Sequence, residues 1–415
     1  EVWQFRKTSW QPVADHEQRK MVHALDGLRY SSNKQIRANK SLVDGVLTEL
    51  QAICAEPDFF YDAPVGLNCL SGFIKITQDG RAVLVSHAPE LKQKFCIDAA
   101  WTPGANTAPG PLTELFLSGI CGAGNASRQT RILLEEILGT ACAVIATRIK
   151  APKAFVLFGP SAANGKSQFI ELVRGMLPPG THSSIAPSEM GKEQFLAELS
   201  GKTANCSDEL SSSKAISSAK MKAVISGDVV SAKRVYKRPY QFKPRALHLF
   251  ATNSLPPFQN GVDEGIRRRF VVVPFNQKIP EKKRIPEISK RVLQSEKNAV
   301  LALAIEGACR VFKSGSFSIP QWMIDKTEQW FRDADNANAW LDDGGLERLL
   351  RHRKHVSFDD AFRAFREDIN ERDAREWIPP FSSFRAMVRA YVDTNPELEI
   401  VRHAAGYRIV ERLLV

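Results

Sequence analysis

No stretch of this sequence is apolar for long enough to cross a bilayer. The longest runs, such as Ala299–Ala304 and Ala141–Ala146, stop far short of the roughly 20 residues that a spanning helix needs. The first residues, Glu1-Val2-Trp3-Gln4-Phe5, lack the basic-then-apolar order of a secretory leader. The chain starts without Met, which leads us to expect a piece of a longer protein. Its seven cysteines, at positions 54, 69, 96, 121, 142, 206 and 309, show no CxxC or Cys/His spacing. That excludes a zinc or disulfide framework and leads us to expect reduced thiols in a cytoplasmic compartment. Internal repeats and low-complexity tracts are missing too, which excludes solenoids and disordered scaffolds.

What is present is ordinary globular composition, 43% hydrophobic and 25% charged, with length for two or three domains. The formal charge of +11 is unevenly spread. Between Ser211 and Arg245 there are nine Lys or Arg against one acid, Asp228, whereas the last 85 residues are near neutral. The positive charge is local to the middle of the chain, as nucleic-acid binding requires but does not prove.

The chain reads as three modules. In residues 1–125, helical periodicity over 16–28 (Val22, Leu25, Leu28) and 34–54 (Ile36, Leu42, Val46, Leu50, Ile53) precedes a hairpin pattern at 66–76, continued over 82–86. A Pro/Gly/Ala/Asn-rich stretch, 101–111, marks a loop. In residues 126–315 a helix leads into the apolar run Ala154–Phe158, and further strand-like runs follow at 203–206, 247–252 and 270–275. Helices alternate with them, and one helix is expected over 287–314. This alternation predicts an α/β core with a mainly parallel sheet. Residues 330–415 carry two apolar helix faces (Phe358, Phe362, Phe365, Ile369; Phe381, Phe384, Val388, Tyr391) and a terminal hairpin turning at Ala404-Ala405-Gly406. Helices followed by a hairpin predict a winged-helix-like domain.

The strongest chemical signal is Gly159-Pro160-Ser161-Ala162-Ala163-Asn164-Gly165-Lys166-Ser167, between an apolar strand and a helix. Such a loop cradles phosphates on backbone N–H groups, with Lys166 on the β/γ phosphates and Ser167 on Mg²⁺. Counting back from Gly165, the first glycine of the usual spacing falls on Pro160, with Gly159 one place early. Asp208-Glu209 ends a strand-like run, 42 residues after Lys166. Paired acids there suit a metal ligand (Asp208) and an activator of the attacking water (Glu209). Asn253 ends another strand and is placed to hold that water or the γ-phosphate. Each has a plainer alternative: a ligand-free Gly-Lys-Ser turn, a solvated acidic turn, an Asn opening the turn into Pro256-Pro257. Arg267-Arg268-Arg269 is a solvated basic face or a source of an arginine finger. Residues 231–242 interleave Lys233, Arg234, Lys237 and Arg238 with Tyr236, Tyr240 and Phe242. Cations that track phosphates beside aromatics that stack on bases give sequence-independent grip. The alternative is a solvated strand with Tyr236 and Phe242 in the core.

The order GPSAANGKS, NCSDE, SGDVVSAKRVYKRPYQFKP, LFATN, GIRRRFVVVPF resembles the superfamily 3 helicases, especially the primase-helicases of phages, plasmids and poxviruses. Gly159 to Asn253 fits in 95 positions, the compact spacing of that superfamily. GLNCLSGFIKI, SHAPE and FCIDAAWTPGA are similar to the module preceding the motor in the same group, and the last 85 residues to its winged-helix end. The resemblance implies an ATP- and Mg²⁺-dependent, AAA+-like motor in a homo-hexameric ring on single-stranded or forked DNA. It implies 3′-to-5′ movement and replication of a mobile element, and leaves open whether a primase domain lies upstream in the full-length protein. It also implies Lys166 and Ser167 in the P-loop, Asp208 and Glu209 in Walker B, Asn253 as sensor 1, and Arg269 as the trans-acting arginine, with Arg268 the reserve. Segment 231–242 then matches a DNA-contacting β-hairpin. Two other functions fit the same residues: a DNA-binding initiator or packaging ATPase that does not separate strands, and a nucleotide-sensing regulator.

Overall fold

The apolar runs in the middle of the chain pair side by side, and their pairing places every other element. The computed structural model describes residues 1–56, 58–104, 108–161, 163–208, 216–258, 262–372, 378–403 and 406–412. Within them five parallel strands form one sheet: β1 (Ala154–Phe158), β2 (His182–Ser183), β3 (Ala204–Ser207), β4 (Leu247–Thr252) and β5 (Phe270–Pro274). Their spatial order is β5-β1-β4-β3-β2. Parallel strands need crossovers that cover both faces with helices, so side chains of both parities are buried. Phe155, Leu157, Leu249 and Val273 join one cluster with helices Asn125–Ala143, Lys166–Met176 and Lys297–Ser314. Ala154, Val156, Phe250 and Val272 join the opposite one with helices Ser218–Ser226 and Gln321–Ala334.

The helix expected over 287–314 is broken into Ile288–Ser295 and Lys297–Ser314. Glu296, at the break, has φ −129 and leaves the helical range. Its carboxylate accepts hydrogen bonds from Leu112 N (2.9 Å), Thr113 N (2.8 Å) and Thr113 Oγ1 (2.6 Å). It thereby caps the helix Pro111–Cys121, an anion at a helix N-terminus where the first N–H groups need acceptors.

Residues 66–85 form the expected antiparallel strands, Gly66–Cys69, Gly72–Ile76 and Ala82–Val85. The N-terminal helices differ from expectation. They span Asp15–His23 and Lys40–Ile53, and bury Val22, Val43 and Leu47 together. Leu25, Leu28, Leu42, Val46, Leu50 and Ile53, expected as core faces, are exposed. Leu25 and Leu28 lie beyond the helix end. In the second helix two apolar stripes run side by side, and periodicity alone does not say which one meets a partner. The stripe facing Val22 and Ala38 does.

At the other end, helices Asn336–Asp342, Gly345–Leu350, Phe358–Arg372 and Phe381–Thr394 pack with strands Val356–Ser357, Leu398–His403 and Gly406–Glu411. Phe365, Ile369, Phe384 and Val388 are in the interior, with Phe362, Phe381 and Tyr391 packed partly against them. Ala404 and Ala405 of the expected turn lie outside the described residues. The helix leading into this unit is bolted to the sheet domain twice. Thr327 Oγ1 accepts from Val272 N (2.9 Å), and Trp330 Nε1 donates to Pro256 O (3.1 Å). Among the described residues no helix is long and apolar enough to cross a membrane.

Candidate nucleotide site and basic hairpin

Strand β1 delivers the chain to Gly159 at the carboxyl end of the sheet, where ligands of open α/β sheets collect. A Cβ on Gly159 would lie 2.2 Å from Asn164 Nδ2 and 2.5 Å from the Phe275 carbonyl oxygen. The glycine one place early is therefore the one whose missing side chain lets the loop fold back on itself, while Pro160 sits exposed in the usual glycine position. Ala163 (φ 60) and Gly165 (φ 87) flank Asn164 with left-handed backbone. Alternations of this kind shape a concavity of N–H groups that suits anions. Asn164 braces the loop from within, donating to Ser161 O (2.8 Å) and Phe275 O (3.0 Å). Ala162 lies outside the described residues.

Lys166 opens the helix Lys166–Met176 and is 7% exposed. Its Nζ donates to Gly159 O (2.8 Å), Asn164 Oδ1 (3.1 Å) and Asn253 Oδ1 (2.9 Å). Burial holds its pKa below the usual lysine value. Asn253 reaches it because β4 lies beside β1 in the sheet, so the residue that follows β4 emerges next to the loop that follows β1. The structure thus brings together two residues that are 87 positions apart. Ser167 is exposed in the first turn of the same helix.

Asp208 follows β3, on the far side of β4 from β1. Its Oδ2 accepts from Arg174 Nη1 at 2.7 Å. Arg174, which the sequence reading missed, also donates to Glu171 Oε1 (2.8 Å), Ser184 Oγ (3.3 Å) and Cys206 O (2.6 Å). Burial works against the Arg174 charge, but the bonds to Asp208 and Glu171 outweigh it and raise its pKa. A signal for it exists: Ser167, Glu171 and Arg174 are spaced i, i+4, i+7, one face of a helix. Glu209 lies outside the described residues.

Arg268 and Arg269 precede β5, whose Phe270 pairs with Ala154 and whose Pro274 pairs with Phe158. They stand at the amino end of the sheet, a strand length from the loop at Gly159, roughly 15 Å at about 3.3 Å per residue. Neither is placed to reach the loop of its own chain. Arg269 donates from Nε and Nη2 to Ser226 Oγ (2.9 and 2.6 Å) and from Nη1 to Gly265 O (2.8 Å). Arg268 is exposed.

The interleaved segment is a hairpin, Val230–Ala232 against Tyr240–Phe242. Its tip, 233–239, is exposed throughout, with Lys233, Arg234, Lys237 and Arg238 in solvent. The aromatics divide: Phe242 is buried and Tyr240 donates to Ala197 O (3.2 Å), whereas Tyr236 is 100% exposed. Arg234 lies over the Tyr240 ring, 5.7 Å from its centre.

Residues 157–269, from the end of β1 to Arg269, match a family described as "Family of unknown function (DUF5906)". The chain is 29% identical over 158 residues to a protein named "Putative helicase" from Acanthamoeba polyphaga mimivirus, covering 35% of this chain and 16% of that one. This chain thus spans a small part of its viral helicase-type relative. In solved structures, it is similar to the apo NrS-1 C-terminal region (13% identity, TM-score 0.42, 86% of this chain and 100% of that one). It is also similar to the JCV helicase with a bound acetamide compound (13%, TM-score 0.26, 56% and 72%). Likenesses this distant carry no functional weight.

Proposed function

We propose that this chain is an ATP-hydrolysing DNA helicase motor of the superfamily 3 type, with an AAA+-like core. In this reading it works as a ring of six copies on single-stranded or forked DNA, moving 3′ to 5′, in replication of a phage, plasmid or other mobile element. The observation that carries it is the meeting of Lys166 Nζ and Asn253 Oδ1, 2.9 Å apart, at the carboxyl edge of the β5-β1-β4-β3-β2 sheet. A bare Gly-Lys-Ser turn has no reason to draw in the tip of the neighbouring strand.

The residues present fit a magnesium-bound nucleotide. Left-handed backbone at Ala163 and Gly165 shapes a loop for phosphate, and a lysine held by oxygens alone has charge to offer an anion. Ser167 and Asp208 would hold Mg²⁺, which supplies neutralisation of phosphate charge. Lys166 exchanges its three oxygens for phosphate oxygens. That frees the Asn253 amide to orient the attacking water, with Glu209 as the activating carboxylate. Arg268 and Arg269, remote from their own loop, serve the site of a neighbouring copy, as a trans-acting arginine finger does. Arg268 is the better placed of the two, because Arg269 is engaged with Ser226 and Gly265. The exposed tip of the hairpin grips the DNA backbone. The element order from Gly345 to Glu411, helix-strand-helix-helix-strand-strand, supports the winged-helix reading of the last domain.

The test is ATP turnover with and without single-stranded DNA, then strand displacement on a forked duplex, for wild type and Lys166→Ala. Turnover without displacement would make the chain an initiator or packaging translocase. Nucleotide binding without turnover would make it a sensor.

A further inference from the structure

We infer that Arg174 is a positioning residue for the magnesium site, holding the Asp208 carboxylate where metal coordination needs it; this rests on the nucleotide-hydrolysing reading above. Asp208 directly follows β3, and its side chain is 40% exposed. Left alone, an exposed carboxylate at a strand end samples several rotamers. Arg174 removes that freedom. It is 15% exposed, and its guanidinium spans two elements of the sheet besides its own helix. Nη1 reaches Asp208 Oδ2 (2.7 Å), and Nη2 reaches both Cys206 O (2.6 Å) and Ser184 Oγ (3.3 Å). Glu171, at i−3 on the helix, accepts from Nη1 (2.8 Å) and restrains the guanidinium from behind. A planar fork of donors suits this work better than an ammonium, which offers charge without fixed direction.

The geometry has a second consequence. Ser167 and Arg174 belong to one helix and lie on one face of it, about 10 Å apart along its axis. The helix that offers the Ser167 hydroxyl to the metal therefore also sets the position of the carboxylate that reaches it from β3. The two candidate ligands come from different elements, and Arg174 ties the second to the helix that carries the first. Oδ2 is the oxygen in the described bond, and in this inference Oδ1 is the one that would face the metal or its water. Groups that orient a metal ligand commonly contribute 10- to 100-fold to metal affinity or activity when removed.

The experiment measures binding of ADP to Arg174→Gln, Arg174→Lys and wild type by calorimetry, once with excess Mg²⁺ and once in EDTA, beside thermal melts of the nucleotide-free proteins. We expect Arg174→Gln to bind ADP in EDTA as wild type does, while the Mg²⁺-dependent gain in affinity falls about tenfold or more. Arg174→Lys, which keeps the charge and loses the fork, should recover only part of that gain. If both variants melt lower yet keep the full magnesium gain, Arg174 merely braces the fold and the inference is overturned. Equal loss in EDTA and in Mg²⁺ would overturn it as well, since the effect would then be on the phosphate loop. Failure of wild type to bind nucleotide under either condition would instead sink the functional reading beneath it.

Discussion

Two lysines in this molecule, Lys166 and Lys237, do opposite things with the same ammonium. Lys166 is buried at the start of its helix, its three donors spent on three named oxygens. Lys237 stands on an exposed hairpin tip, its backbone in a turn and its side chain in water. The first arrangement is convergent and geometric, so any ligand it takes must have a defined shape. The second is divergent and electrostatic, and suits a polymer whose charge repeats and whose sequence does not matter. The two proposed roles, a loop that recognises one group and a tip that grips a backbone, are distinguishable by mutation.

The largest expected effect separates them outright. Lys166→Ala should reduce ATP turnover to the assay floor, and Glu209→Gln should do so while still binding ATP, because one holds phosphate and the other acts on water. Lys237→Ala with Arg238→Ala should leave DNA-independent turnover near wild type. Comparable loss in both would mean that loop and tip are one site. Next in size is the arginine pair. Arg268→Ala should slow turnover by about 10³-fold or more, as loss of an arginine finger does, and mixing it with Lys166→Ala should restore part of the rate. Rescue by mixing with Arg269→Ala alone would move the role one residue on.

A smaller effect tests how tightly the loop is built. Gly159→Ala places a methyl against a backbone oxygen that cannot swing away, so stability should fall by about 1–3 kcal/mol in a denaturant titration. Tyr236→Ala, at the fully exposed tip, should change stability by less than about 0.5 kcal/mol. A Tyr236 variant that unfolds early would show that the tip is packed in solution. The smallest effect is a slope. Losing Lys237 and Arg238 should flatten log affinity against log salt for single-stranded DNA by roughly 1.4, about 0.7 per phosphate contact, equally for all DNA sequences. An unchanged slope would make the tip ordinary solvated surface.

How much of this was legible in the sequence depends on whether a feature is local. The strands over 154–158, 247–252 and 270–274 were readable because burial on both faces leaves continuous apolar runs. The loop between β1 and the helix Lys166–Met176 was readable because its glycines and lysine are neighbours in the chain. The hairpin was legible only through the family resemblance of 231–242, and Tyr236 and Phe242 looked alike until the fold assigned one to solvent and one to the core. What escaped was set by contacts across the chain. The break at Glu296 exists because a helix about 180 positions earlier offers it unpaired N–H groups. Arg174 looked like any helix-surface arginine until β3 brought Asp208 to it. The stripe of Leu42, Val46, Leu50 and Ile53 promised a core and found no partner in the described residues, while its neighbour found Val22.

Trp330 has a consequence of a different kind. Its indole N–H holds the Pro256 carbonyl, three residues beyond Asn253, while its ring lies against Phe258, Phe270 and Phe331. The same helix receives Val272 N at Thr327 and runs on toward the last domain. It is therefore tied, in its second half, both to the sheet and to the loop that follows Asn253. A displacement of that loop would have only about one turn of helix, roughly 6 Å at about 1.5 Å per residue, to cross before the terminal domain begins. The indole sits at that junction, so with the other six tryptophans replaced by Phe its fluorescence would report movement there.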